Sequence, residues 1–431
     1  MTIASAAAGG TSRTKLNRQQ IIGFWAAWAG WMLDGMDSVI YALVLSPALT
    51  ELLPKSGVEA TPANIAYTGS ILFALFLLGW GCSFIWGPIA DRFGRTRTLA
   101  ATIFMYAIFT GAAALSQEVW QLGLFRLLAG IGIGGEWAMA GTYVAEAWPE
   151  DRRKMGAGYL QTGYYAGFFV AAALNFTVGA NYGWRWMFAC GLFPVVVSIW
   201  TLLKVKEPVR WEKKSVEAKR HHPLREIFNA RYRRRTLVNC LLLTVAIIGL
   251  WAAAVYEPTA LVQLGTKAGW AKPQLPKLVS FGTAILSIGT ILGCIAAPMI
   301  AERLGRKRAL ALYFCGMAIT ITIAFQWAFY ATDGLAPFLI VLFFLGFSGG
   351  NFALFSLWLP EQYETNVRAT AFAFATSIGR FIGAGVNFGL AALVASMQTL
   401  GTPVALTAIA FLVGLVIIPF ALETKGDMLP E

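Results

Sequence analysis

Twelve apolar runs follow one another between residues 20 and 422, each close to the length of about 20 residues that a helix needs to cross a bilayer. Hydrocarbon satisfies no backbone N–H or C=O, so only helices and closed barrels span it, and barrel strands are only about 10 residues long. The chain is therefore expected to be an all-α membrane protein with twelve transmembrane helices. Only 13% of its residues are charged, where soluble domains carry about 25%. An even number of crossings puts both termini on one side, and the basic residues say which. Lys and Arg gather in residues 1–19, in 205–235, and after the second, fourth and eighth runs. The opposite connections hold only Lys55, Arg185, Lys267, Lys272 and Lys277. The excess of positive charge marks the cytoplasmic side, so both termini are expected there. Topology accounts for the net charge of +12 without a nucleic-acid partner. Residues 1–19 contain no apolar core of the kind a cleaved signal peptide needs.

The chain also repeats itself. Gly87-Pro-Ile-Ala-Asp91-Arg92-Phe-Gly94-Arg95 closes the second run, and Ala297-Pro-Met-Ile-Ala-Glu302-Arg303-Leu-Gly305-Arg306 closes the eighth. Glu146 precedes Arg153 by the same interval as Glu361 precedes Arg368. An offset of 215 lays Gly134-Gly135-Glu136 on Gly349-Gly350-Asn351. Two pseudo-symmetric six-helix halves explain this, and transporters commonly place substrate between such repeats. The expected parts are a cytoplasmic segment 1–19, a bundle 20–204, a basic linker 205–235, a bundle 236–422 and a short tail 423–431. The linker has the charge pattern of a solvated connection with an amphipathic helix on the anionic inner leaflet.

Of the 34 Lys and Arg residues, two fall inside apolar runs, Arg126 and Arg380. Asp34, Asp37, Glu136 and Glu257 are the acids at comparable depth. Ionisable groups there are costly and face a protein interior or a wet cavity. Asp34 and Asp37 are three residues apart and share a helix face with Ser38 and Tyr41. Two carboxylates in one low-dielectric cavity repel, which makes them and Glu136 candidates for carrying a proton. Both histidines, His221 and His222, lie in the linker, so a proton relay at depth has to use carboxylates. Arg126 presents a fork that fits a carboxylate, either of a substrate or of a neighbouring acid. Arg380, in a stripe with Thr376, Ser377 and Asn387, is expected to await an anionic ligand. Gln161, Tyr164, Tyr165, Asn351 and Asn387 are candidate substrate contacts, although single aromatics in such runs also serve as core. Gly130, Gly132, Gly134 and Gly135 allow close helix approach. Asp91, Arg92, Arg95, Glu146 and Arg153, with Glu302, Arg303, Glu361 and Arg368 in the second half, are candidates for a bistable charge latch at the inner gate. The five cysteines are scattered, with no metal or disulfide spacing, and no cofactor motif is present.

The doubled Gly87–Arg97 signature and Arg126-Leu-Leu-Ala-Gly130-Ile-Gly132 resemble the major facilitator superfamily over essentially the whole chain. Asp34-Gly-Met-Asp37 and Lys206-Glu207-Pro208-Val-Arg210-Trp211 are similar to the aromatic acid:proton symporters. Val367-Arg368-Ala-Thr-Ala, followed by Gly379-Arg380, resembles both these and the sialate:proton symporters, which include lactate carriers. The helix-five glycine–proline signature of drug antiporters is missing, since residues 156–173 contain no proline. The resemblance implies a monomeric, multi-pass protein of a bacterial inner membrane. It would import a small organic anion together with a proton by alternating access. A uniporter, a proton antiporter and a transporter-like nutrient receptor are the competing expectations.

Overall fold

The computed structural model describes residues 14–218, 223–271, 274–397 and 399–430, so His221 and His222 lie outside the described residues. Its long helices are α1 (Arg18–Lys55), α2 (Tyr67–Phe93), α3 (Arg95–Ala113), α4 (Val119–Ala147), α5 (Arg153–Leu174) and α6 (Trp184–Lys204). The second set is α7 (Arg233–Lys267), α8 (Lys277–Leu304), α9 (Arg306–Ala328), α10 (Leu335–Gln362), α11 (Arg368–Val394) and α12 (Gly401–Phe420). Among the described residues, nine of these are long and apolar enough to cross a membrane. The other three, α3, α5 and α7, occupy the places of the remaining apolar runs. Large apolar side chains such as Trp120, Phe176, Trp186, Ile340 and Val416 are exposed on the outer helix faces, which suits a lipid solvent and not water.

Helix starts differ slightly from the expected bounds because capping, not hydropathy, sets them. The Asn17 side chain accepts from the Gln20 N–H and the Gln20 side chain accepts from the Asn17 N–H. This reciprocal cap starts α1 at Arg18, inside the expected 1–19 segment. Likewise α7 starts at Arg233, inside the expected linker. The linker carries a short helix, Val209–Ala218, but it docks on protein: Trp211 Nε1 donates to the Asp91 carbonyl at 3.0 Å.

The repeat is visible in three dimensions. A single residue joins α2 to α3 and α8 to α9, Gly94 at φ 117° and Gly305 at φ 92°, a conformation open to glycine and costly for other residues. A carboxylate from just beyond the last helix of each half then caps the new helix. Glu207 accepts from the N–H groups of Arg95, Thr96 and Arg97 at 2.7, 3.1 and 3.2 Å. Glu423 accepts from those of Arg306 and Lys307 at 2.9 and 3.1 Å. An anion at a helix N-terminus also meets the positive end of its dipole.

Within the halves α2 packs on α4 and α8 on α10; between them α2 meets α11 and α5 meets α8. The glycines make the first pairings backbone on backbone. A Cβ on Gly130 would stand 2.4 Å from the Phe76 carbonyl oxygen, and one on Gly346 2.1 Å from that of Leu286. No real side chain fits those gaps, so the glycine-rich stretch of α4 is a packing surface, and Arg126 and Glu136, each four residues from one of its glycines, are buried beside it.

Candidate functional site

Helix α1 turns one polar face inward, with Trp31, Asp34, Ser38 and Tyr41 three or four residues apart. Among the described residues, Trp31 Nε1, both Asp34 oxygens and Ser38 Oγ are buried without a hydrogen-bond partner. Buried polar groups are nearly always paired, so such a cluster on one helix face marks a place for protons, water or ligand. Asp37, one turn away from Asp34, is already engaged. Its two oxygens face Nη1 and Nη2 of Arg126 at 3.5 and 3.4 Å. The Arg126 guanidinium sits between the rings of Tyr41 and Phe76, 4.7 Å from each centroid, a favourable place for a cation.

Arg380 approaches from the other half. Among the described residues it forms no ion pair; Nη1 donates to the Thr376 carbonyl at 2.9 Å. Its guanidinium lies 4.1 Å from the Trp80 ring and 5.8 Å from that of Trp137. The acid whose charge bears on it is Asp34. Trp31, Trp80, Trp137, Gln161, Tyr164, Tyr165, Ile247, Phe352 and Arg380 together wall a cavity of about 20 Å³, room for about one water molecule. Glu136 is fully buried. Its Oε1 lies where a Cβ of residue 30 would be, 2.1 Å away, so Gly30 makes its seat, and its charge bears strongly on Asp34.

The other expected contacts divide. Gln161 accepts from Ser356 Oγ at 3.4 Å, and Ser356 accepts from Trp137 Nε1 at 2.9 Å, a chain linking α5, α10 and α4. Tyr164 packs on Trp31 with centroids 4.8 Å apart, and Tyr165 packs edge-on against Tyr164. Asn351 is buried and donates to the Ser348 carbonyl at 2.9 Å; it is not among the cavity-wall residues. The Asn387 side chain lies outside the described residues. The tryptophans of the wall were not singled out in the sequence, where one Trp among 16 carries no mark of its place.

At the end where α2 meets α3, the two halves are tied by a duplicated network. Glu146 accepts from Arg95 of its own half, Nε at 3.0 Å, and from Arg368 Nη1 of the other half at 2.7 Å. Glu361 accepts from Arg306 Nε at 2.9 Å and from Arg153 Nη1 of the other half at 3.0 Å. Asp91 pairs with Arg95 at 2.8 Å and crosses to the Thr370 N–H at 2.9 Å and hydroxyl at 2.5 Å. Glu302 pairs with Arg306 and crosses to Lys154, at 2.7 and 2.8 Å. Arg92 and Arg303 are exposed and stand outside this network. Arg306, Thr370 and Lys154 are in it, unanticipated. Laying Gly94-Arg95 on Gly305-Arg306 would have singled out Arg306. Just beyond α4, Glu150 is held by Arg153 at 2.8 Å and Arg210 at 3.2 Å. Burial opposes its charge, but the bonds from Arg153, the Leu429 N–H and Arg210 outweigh that and hold the carboxyl below its ordinary range.

The chain matches the family model described as Major Facilitator Superfamily over residues 27–387. The chain belongs to that superfamily. It is thus a multi-pass membrane transporter and not an enzyme. Among its relatives is the "Probable 4-methylmuconolactone transporter" of Cupriavidus pinatubonensis, 29% identical over 419 residues, 95% of this chain and 92% of that one. The "Cis,cis-muconate transport protein" of Acinetobacter baylyi is 27% identical over 417 residues, 94% of this chain and 95% of that one. In fold the chain is similar to the proton:xylose symporter XylE, with a TM-score of 0.76 at 17% identity, covering 95% of this chain and 98% of that one.

Proposed function

We propose that this transporter is a proton-coupled symporter that takes up a small organic anion by alternating access. In this reading α1 to α12 are twelve transmembrane helices, 20–204 and 236–422 are the two moving bundles, and both termini are cytoplasmic in the bacterial inner membrane. The duplicated latch is then the inner gate, closed here, and the chamber is the substrate site. The relatives named for muconate and muconolactone transport support an organic acid as cargo.

The observation that carries the reading is the pair Asp34 and Arg380. Arg380 of the second half lines the aromatic chamber, and Asp34 of the first is buried one helical turn from Trp31 of its wall; neither is in an ion pair among the described residues. An uncompensated charge in such a place is expensive. In the empty carrier the two charges offset each other across the chamber. A proton on Asp34 frees Arg380 for a substrate carboxylate, and a carboxylate on Arg380 favours that proton. The loaded and the empty carrier then both cross with little net buried charge, while the half-loaded ones do not. Asp37 plays a different part, holding Arg126 in place.

The test is uptake into proteoliposomes of the purified protein against a panel of carboxylates, with an inward proton gradient. Uphill accumulation by the wild type is expected. Asp34→Asn should keep exchange of labelled for unlabelled substrate and lose accumulation. Accumulation by Asp34→Asn would put the proton on another group.

A further inference from the structure

The segment after α12 does not trail into solvent. Thr424 Oγ1 donates to Glu361 at 2.5 Å, on the second half's latch carboxylate. The chain then turns at Gly426, φ 89°, and runs across to the first half. There the Leu429 N–H donates to Glu150 Oε1 at 2.8 Å, and the Leu429 carbonyl accepts from Arg210 Nη1 of the linker at 3.1 Å. The Leu429 side chain is buried, at 3% exposure. The next carbonyl, of Pro430, accepts from Nη2 of Arg368, the same guanidinium whose Nη1 crosses to Glu146. In four residues the tail therefore touches the α4–α5 connection, the linker and the start of α11. These belong to both bundles and to the segment between them.

We infer that residues Asp427–Pro430 are a strap across the closed inner gate, which has to let go before the bundles part on that side. The inference rests on the alternating-access reading but goes beyond it. The latch described above lies between the bundles, whereas the strap belongs to neither interface and binds mostly through its backbone. Its hold comes from charged side chains gripping backbone groups, and such bonds are stronger than neutral ones. Bonds present in only one of two states shift the ratio of those states by their full free energy. The strap thus sets how much of the population has its inner gate open, and a cytoplasmic partner that bound this segment would open the gate without entering the substrate site.

Cys294 supplies the reporter. It is fully buried on α8, where its carbonyl would stand 2.7 Å from a Cβ on Gly158 of α5, at the joint between the bundles. The full-length protein, with Cys82, Cys190, Cys240 and Cys315 replaced by Ser, is placed in liposomes and its Cys294 is modified by a maleimide. Leu429→Pro removes the N–H held by Glu150, and Arg210→Ala removes the grip on the carbonyl. Each should raise the modification rate about tenfold, the effect of one charge-assisted bond. A chain ending at Gly426 should raise it further, and Met428→Ala, at an exposed side chain (78%), should not change it. Unchanged rates in the Leu429→Pro and Gly426-terminated proteins overturn the strap. If Asp91→Asn then still raises the rate, the gate itself stands; if it too does nothing, the alternating-access reading falls with the strap.

Discussion

Replacing Glu146 by Gln should favour the state with the inner gate open, and the structure gives the size of the effect. Glu146 makes two kinds of bond. Those from Arg95, at 3.0 and 3.1 Å, lie within one half and survive when the halves separate. The bond from Arg368, at 2.7 Å between side chains with no exposure, joins the two halves and is lost if they separate. Loss of charge at Glu146 therefore costs the two states unequally. The whole removal of one partner from a buried pair is worth about 3–5 kcal/mol, but the part within the half is common to both states. What remains is one charge-assisted bond, about 1.5–3 kcal/mol. At about 1.4 kcal/mol per factor of ten, the open-to-closed ratio should rise roughly 10- to 100-fold. Arg92 and Arg303 are exposed, on opposite halves at this end and outside the network. Spin labels on cysteines there would report the separation by pulsed dipolar spectroscopy. The wild type should give mainly the short distance, and Glu146→Gln a substantial long-distance population with substrate affinity little changed. An unaltered distance distribution, or a collapse in affinity without a change in distance, would refute the reasoning. Glu361→Gln, its counterpart in the repeat, should behave alike, because it loses the single cross-half bond from Arg153.

Arg380→Lys should lower substrate affinity at least tenfold in a ligand-induced thermal-shift titration, since an ammonium does not reproduce a bidentate fork; unchanged affinity would remove Arg380 from the substrate site. Asp37→Asn should destabilise the protein by about 3–5 kcal/mol, because it leaves Arg126 uncompensated between Tyr41 and Phe76. Unfolding in detergent measures this, and Arg126→Met in the same chain should restore much of the loss. Gly30→Ala should displace Glu136 and press on Ile103 Cδ1, 2.7 Å from the new Cβ, at a cost of about 1–3 kcal/mol. A melting temperature equal to the wild type's would show that the α1–α4 contact yields freely.

The sequence alone carried the helical class, the internal repeat and the six ionisable residues in apolar runs. These are set by local composition and by copying of one ancestral unit, and both leave their mark on the chain itself. Which ions meet was decided elsewhere. Asp34 and Asp37 look alike in sequence, yet Asp37 pairs with Arg126 and both Asp34 oxygens are buried without a hydrogen-bond partner among the described residues. Arg306 pairs with Glu361 while Arg303 stays exposed. A residue turns the side chain by about 100° around a helix, so three positions along α1 move a charge onto a different neighbour, while Gly305 puts Arg306 at the start of a new helix. That neighbour belongs to a helix dozens or hundreds of residues away. Glu207 and Glu423 show the same limit, since a glutamate after an apolar run reads as a surface charge until the N-terminus it caps is brought beneath it. Hydropathy and repeat fix what each helix is, but only the packing of helices against one another decides which buried charges are neutralised and which are left without a partner.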